Sequence, residues 1–174
     1  ILISSTLLVT LILTSGFSDL MLMLLVLLVS CLGFLFFNWP KATIFMGDSG
    51  SIFLGFCFSS LIVYSVKSNE VSLFTWLVVF GYYLADTSTT TILRVFLVKN
   101  WYGTHRSHAY QNLARIKDNH FLVTIGVLIY HLLWLLPLAI LTVVKPDQGL
   151  IIVIFAYLPS ILWTIKFGPL FSKE

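Results

Sequence analysis

From Leu20 to Phe37 the chain runs without a single charged side chain. A helix rising about 1.5 Å per residue over such a run crosses the roughly 30 Å hydrocarbon core of a bilayer, and a small soluble domain has no interior able to hide it. The stretch recurs with variations as Ile1–Phe17, Ile52–Val66, Val71–Leu93, Phe121–Val144 and Gly149–Ile165. Of the 174 residues, 59% are hydrophobic and only 10% charged, against about 25% charged in an ordinary soluble domain. The mean hydropathy is +1.00. A water-facing surface cannot be assembled from this inventory, and disordered, coiled-coil and collagen-like chains are excluded by the absence of charge runs, heptads and glycine periodicity. The expected fold is an all-α integral membrane protein of about six transmembrane helices, forming a single polytopic domain over residues 1–174. Because Ile1 already lies in an apolar segment, with no basic leader before it, the chain reads as a fragment of a larger bundle. Cys31 and Cys57 both lie in apolar stretches and imply no disulfide framework. A scattered net charge of +3 argues against nucleic acid as a partner and leaves the lipid bilayer as the surroundings.

The basic residues sort by side. If every segment crosses, loops 38–51 and 94–120 and the tail from Lys166 share one face, with Lys41, Arg94, Lys99, Arg106, Arg115, Lys117, Lys166 and Lys173; only Lys67 and Lys145 face the other way. By the positive-inside rule the rich face is cytoplasmic, which predicts a multi-pass protein of the inner (cytoplasmic) membrane with an even number of crossings. The links around Ser18–Asp19, Lys67–Glu70 and Lys145–Gln148 are too short to build a site. Nearly every side chain with chemistry lies in the two basic loops, so any reaction is expected at the cytoplasmic face.

The first loop reads Asn38-Trp39-Pro40-Lys41-Ala42-Thr43-Ile44-Phe45-Met46-Gly47-Asp48-Ser49-Gly50-Ser51. Gly47 and Gly50 permit a tight turn, and Ser51 could cap a helix beginning at Ile52. In the plain reading, Asp48 or Ser51 satisfies free backbone N–H groups. In the functional one, the helix N-terminus attracts phosphate while Asp48 holds a magnesium ion bridging it. The spacing is not that of a P-loop. A serine-hydrolase reading, with Ser49 as nucleophile and His105 or His108 as base, has little support among helical membrane segments.

Two further groups lie downstream. Asp86, Thr90 and Arg94 fall on one helical stripe, with Asp86 about 12 Å from Arg94 and inside the apolar zone. They form either a structural link, with Asp86 bonded to a neighbouring helix and Arg94 snorkelling to the interface, or a wall of a cytoplasmic cavity. The run Thr104-His105-Arg106-Ser107-His108-Ala109-Tyr110-Gln111-Asn112 combines forked guanidinium donors with proton-shuttling imidazoles and suits a pyrophosphate, or else meets anionic headgroups. His131 reads as a packed, hydrogen-bonded histidine.

Phe37-Asn38-Trp39-Pro40 leading to Ile44-Phe45-Met46-Gly47-Asp48-Ser49-Gly50-Ser51, followed by the segment Asp86–Arg94 and His105-Arg106-Ser107-His108-Ala109-Tyr110-Gln111, resembles the polyprenyl-phosphate N-acetylhexosamine-1-phosphate transferases. The Tyr-Gln form is most similar to the branch that initiates O-antigen synthesis. The resemblance covers nearly the whole chain but only the C-terminal half of the family pattern. It implies transfer of an N-acetylhexosamine-1-phosphate from a UDP-sugar to polyprenyl (undecaprenyl) phosphate with release of UMP. Asp48 would hold Mg2+ (or Mn2+) and, with His105 and His108, carry catalysis, while Asn38, Lys41, Ser49, Gly50, Ser51, Arg106 and Tyr110 would bind substrate. A homodimer is compatible with the family. The family's paired aspartates, of the type Asp-Asp-x-x-Asp, occur nowhere here, so the isolated chain is expected to be inactive. The competing function is a transporter or lipid flippase using Asp86, Arg94 and the same basic loop as a gate.

Overall fold

The computed structural model describes residues 18–39, 42–97, 102–103 and 106–169. Helix α1 (Asp19–Asn38) opens on the Ser18 side chain, which accepts from the Met21 N–H at 3.2 Å, with Asp19 in the first turn against the positive end of the dipole. It ends at Trp39, which is extended immediately before Pro40. Only Leu20, Met21 and Leu24 of α1 are buried, as befits a helix whose solvent is lipid.

Helix α2 (Gly47–Lys67) begins at Gly47 rather than at Ile52. The reason is Gly47 itself, whose φ of +63° turns the chain sharply into the helix. Ser51 is therefore not an N-cap: it lies inside the first turns, where its Oγ donates to the Asp48 carbonyl at 3.2 Å.

The expected single segment Val71–Leu93 is two helices, α3 (Leu73–Val79) and α4 (Gly81–Leu97), bent at Phe80. Ser72 caps α3 by accepting from the Thr75 N–H. At the bend Gly81 is buried, and a Cβ there would lie 3.2 Å from both the Leu135 and Tyr157 side chains. The Tyr157 hydroxyl donates to the Leu77 carbonyl at 2.9 Å, satisfying backbone beside the break.

The short helix α5 (Ala109–Lys117) stops at Asp118, which adopts the left-handed conformation, and Asn119 then caps α6 (His120–Tyr130). A π-helical turn (His131–Leu135) joins α6 to α7 (Leu136–Val144). The wider turn immediately precedes Pro137, whose ring and missing N–H would disrupt an unbroken α-helical ladder. His131 is buried as expected, but its Nε2 has no hydrogen-bond partner among the described residues. After a 3-10 turn (Pro146–Gln148), α8 (Gly149–Phe167) carries Pro159 in its interior. Beside that proline the Ala156 carbonyl accepts from both the Tyr130 hydroxyl and the Trp134 Nε1–H.

Four stretches among the described residues are long and apolar enough to cross a bilayer: Asp19–Asn38, Gly47–Lys67, His120–Val144 and Pro146–Phe167. The bent pair α3–α4 makes a further end-to-end passage, and the expected segment Ile1–Phe17 lies outside the described residues. At one end Leu20, Leu24, Phe58, Leu61, Val71 and Trp76 share a core, with Trp76 Nε1–H donating to Ser65 Oγ and Thr75 bonded to Thr142. Val78, Val79, Leu135, Ala139, Ile152, Val153 and Ala156 form a second core, where α3, α7 and α8 meet. At the other end the Trp39 ring rests 5.3 Å from that of Phe121, and Asn112 bonds the end of α8. The links Ser18–Asp19, Lys67–Glu70 and Lys145–Gln148 thus gather at one end and the two motif loops at the other.

Candidate functional site

The helix bend and the α4–α8 packing decide what meets at the polar end. Asp86, Thr90 and Arg94, on one stripe of α4, are all buried. Asp86, 3% exposed, accepts from three directions: His108 Nδ1 lies 2.9 Å from its Oδ2, the Thr164 hydroxyl on α8 donates to Oδ1 at 2.9 Å, and the Ala109 N–H lies 3.4 Å from Oδ1. A carboxylate at this depth is tolerable only with its lone pairs so engaged. Arg94 does not snorkel outward: it is buried, and its Nη1 lies 3.4 Å from Ser107 Oγ. The Thr90 hydroxyl between them has no partner among the described residues.

His108 is the N-cap of α5, and its N–H points to Gln111 Oε1 at 3.4 Å. The Tyr110 ring stacks beside the imidazole at 6.0 Å. Burial, and then the charge of Asp86, push the Tyr110 phenol above its ordinary range, so at neutral pH it is a neutral hydrogen-bond donor. Arg106 is exposed, and its carbonyl accepts from Arg115 Nη2 at 2.6 Å. Asn112 ties this segment down, its amide donating to the Phe167 carbonyl at 2.7 Å and the Gly168 carbonyl at 3.0 Å.

The first motif stands apart from this junction. Asp48 is exposed in the first turn of α2, with Ser49 and Ser51 exposed beside it. A Cβ on Gly50 would run into the Met46 side chain. The Asn38 amide donates to the Ile44 carbonyl at 2.9 Å, and Thr43 bonds back to Phe37, so Asn38 closes the loop that presents Asp48. Lys41 and His105 lie outside the described residues. No group of three or more His, Cys, Asp or Glu side chains placed to hold a metal occurs among the described residues. A magnesium ion commonly takes only one or two protein carboxylates and completes its shell with water and phosphate, and a single exposed carboxylate such as Asp48 fits that mode rather than a closed protein cage.

The structure thus joins His108 to Asp86, seats Tyr110 against His108, and leaves Asp48 on the same end but outside that network. An apolar cavity of about 380 Å³ lies nearby, with Tyr82, Leu113, Lys117, Tyr130, Ser160 and Trp163 among its lining, and no described residue expected to bind substrate reaches it. Two members of the junction escaped sequence reasoning as site residues. Thr164 is one of three hydroxyl side chains in an otherwise apolar helix and carries no signal of its own, whereas the polarity of Asn112 beside the histidine motif was the available clue.

Fold and site define a polytopic α-helical membrane protein with the buried Asp86–His108 junction at one end. Residues 1–66 match the family model described as Glycosyl transferase family 4. Over 99 residues, 55% of this chain and 27% of the relative, it is 34% identical to the probable undecaprenyl-phosphate N-acetylglucosaminyl 1-phosphate transferase of Bacillus subtilis (strain 168). Over 70 residues, 40% of this chain and 18% of the relative, it is 41% identical to the phospho-N-acetylmuramoyl-pentapeptide-transferase of Rickettsia canadensis (strain McKiel). The matched parts therefore span about a quarter or less of those proteins. No solved structure matches.

Proposed function

We propose that this chain forms part of a membrane enzyme that transfers an N-acetylhexosamine-1-phosphate from a UDP-sugar to polyprenyl phosphate at the cytoplasmic membrane face, feeding the synthesis of a cell-surface polysaccharide such as lipopolysaccharide O-antigen. The observation that carries the reading is the gathering of both motif loops at one end of the bundle. An acceptor whose tail stays in lipid and a donor that stays in water can react only at such an interface. An oxygen of the lipid phosphate attacks the β-phosphorus of the donor, the bond from that phosphorus to the bridging oxygen breaks, and UMP leaves. Asp48 would hold Mg2+ (Mn2+ in the same way), and a bound cation supplies neutralisation of the charge that keeps two phosphates apart. Arg106 offers a guanidinium to the equatorial oxygens, Tyr110 a neutral donor, and His108 an imidazole for holding or moving a proton. Asn38, Lys41, Ser49, Gly50 and Ser51 are assigned to substrate, and His105 joins His108 and Asp48 in catalysis. Positioning and charge carry most of such a reaction. The isolated chain, lacking the paired aspartates, is expected not to turn over.

The test is Asp48→Asn in the full-length protein, reconstituted with polyprenyl phosphate and UDP-N-acetylglucosamine. Loss of magnesium-dependent UMP release, by roughly 100-fold or more for a group acting on developing charge, is the expected result. Wild-type turnover in that variant would remove Asp48 from the site.

A further inference from the structure

We infer that Asp86 is the positioning residue for His108, fixing the imidazole with its proton on Nδ1 and its lone pair on Nε2. The inference deepens the transferase reading and rests on it only for what Nε2 then does. An ionised carboxylate accepts and cannot donate. The 2.9 Å contact between Asp86 Oδ2 and His108 Nδ1 therefore requires the proton to sit on Nδ1. A neutral imidazole has one ring proton, so Nε2 is left as the base. The carboxylate is itself held against rotation, because its other oxygen takes the Thr164 hydroxyl at 2.9 Å and faces the Ala109 N–H at 3.4 Å. The second of these also anchors the backbone one residue from the ring it orients. Three elements thus converge on one buried carboxylate: α4 supplies it, α8 braces it, and the start of α5 carries the imidazole.

A carboxylate behind an imidazole does what an outer-shell partner does for a ligating histidine, selecting the tautomer and fixing the ring's orientation. A purely structural link through the same two atoms would select the same tautomer, so what marks a positioning role is the loss of kcat when the carboxylate is replaced. In the transferase reading, the fixed Nε2 accepts a proton from, or once protonated returns one to, a phosphate oxygen at the membrane face.

The chain labelled with 15N-histidine, in lipid nanodiscs at a pH where the imidazoles are neutral, gives the tautomer directly from long-range proton–nitrogen spectra. The His108 signals are those lost in His108→Gln. The expected wild-type result is the Nδ1–H form, with Asp86→Asn returning His108 to a mixture dominated by Nε2–H. An Nε2–H form in the wild type overturns the proposal, even if Asp86→Asn fails to fold. An unchanged tautomer in a folded Asp86→Asn overturns it equally. In the full-length enzyme Asp86→Asn should lower kcat by roughly 10- to 100-fold while moving the KM for the nucleotide sugar little, and an unchanged kcat counts against the positioning role. If neither wild type nor variant releases UMP, the transferase reading fails and the tautomer decides the role of Asp86.

Discussion

Asn112 holds together backbone that would otherwise be orphaned. The last carbonyls of a helix have no partner within it, and the Asn112 amide reaches from α5 to the Phe167 and Gly168 carbonyls at the end of α8. Its own oxygen accepts from the Arg115 guanidinium, so one buried amide neutralises three groups. Replacing it by Leu keeps the volume and removes its bonds to the two carbonyls and to the guanidinium. We expect Asn112→Leu to cost about 1–3 kcal/mol and Asn112→Asp to cost more, because a carboxylate cannot donate to the carbonyls it would face. Thermal unfolding in detergent, followed by near-UV circular dichroism, measures both. A midpoint for Asn112→Leu equal to wild type would show that water replaces the amide without loss. The same reasoning separates Asn112 from Tyr110: the half-buried phenol is bonded to no helix end, so Tyr110→Phe should leave the midpoint unchanged and alter only substrate handling.

Helix α8 starts where α3 lets it approach, and that approach is set by a missing side chain. A Cβ on Gly149 would run into the Phe74 ring and lie 2.9 Å from Phe74 Cβ. The ring edge can swing away, but the Cβ moves only with α3. Gly149→Ala is therefore expected to destabilise by about 1–3 kcal/mol through overpacking. Combining it with Phe74→Gly, which removes that Cβ, should cost less than the sum of the two single changes, and strictly additive losses in the double-mutant cycle would show that the two helices do not meet there. Contacts of this kind mark where sequence reading stops. The spanning segments were legible because twenty apolar residues have few other fates, and the polar end because Lys and Arg collect in two loops. The break at Phe80 was not, since Val71–Leu93 is mostly apolar through its first half and the Leu135 and Tyr157 side chains that meet Gly81 lie far along the chain. The start of α2 was misplaced because Ser51 has the chemistry of a cap while Gly47 supplies the turn. In the site, the Asp86–Thr90–Arg94 stripe followed from helical spacing alone. That Asp86 meets His108 and Thr164 did not, for these partners lie 22 and 78 residues away.

At the scale of the whole chain, both motif loops must face the same compartment for one site to use both. The fold meets this condition in a specific way: α1 and α2 form one excursion, α3–α4 and α6–α7 another, and each returns its loop to the end where Trp39 touches Phe121. The opposite end carries Asp19, Lys67, Glu70, Lys145 and Asp147 on links too short for chemistry. The charge asymmetry then predicts which compartment each end sees, because retained Lys and Arg mark the cytoplasmic side. With Cys31 and Cys57 replaced by alanine, single cysteines at Phe45 and Lys117, both exposed, should react with a membrane-impermeant maleimide only after the membrane is opened. Cysteines at Ser68 and Asp147, exposed at the other end, should react in intact cells. Reversal of all four would keep the shared end but place it outside, where a nucleotide sugar made in the cytoplasm could not reach it. Labelling of Phe45→Cys and Lys117→Cys from opposite sides would be more damaging: Asp48 and His108 would then lie across the bilayer from each other, and no single reaction could engage both.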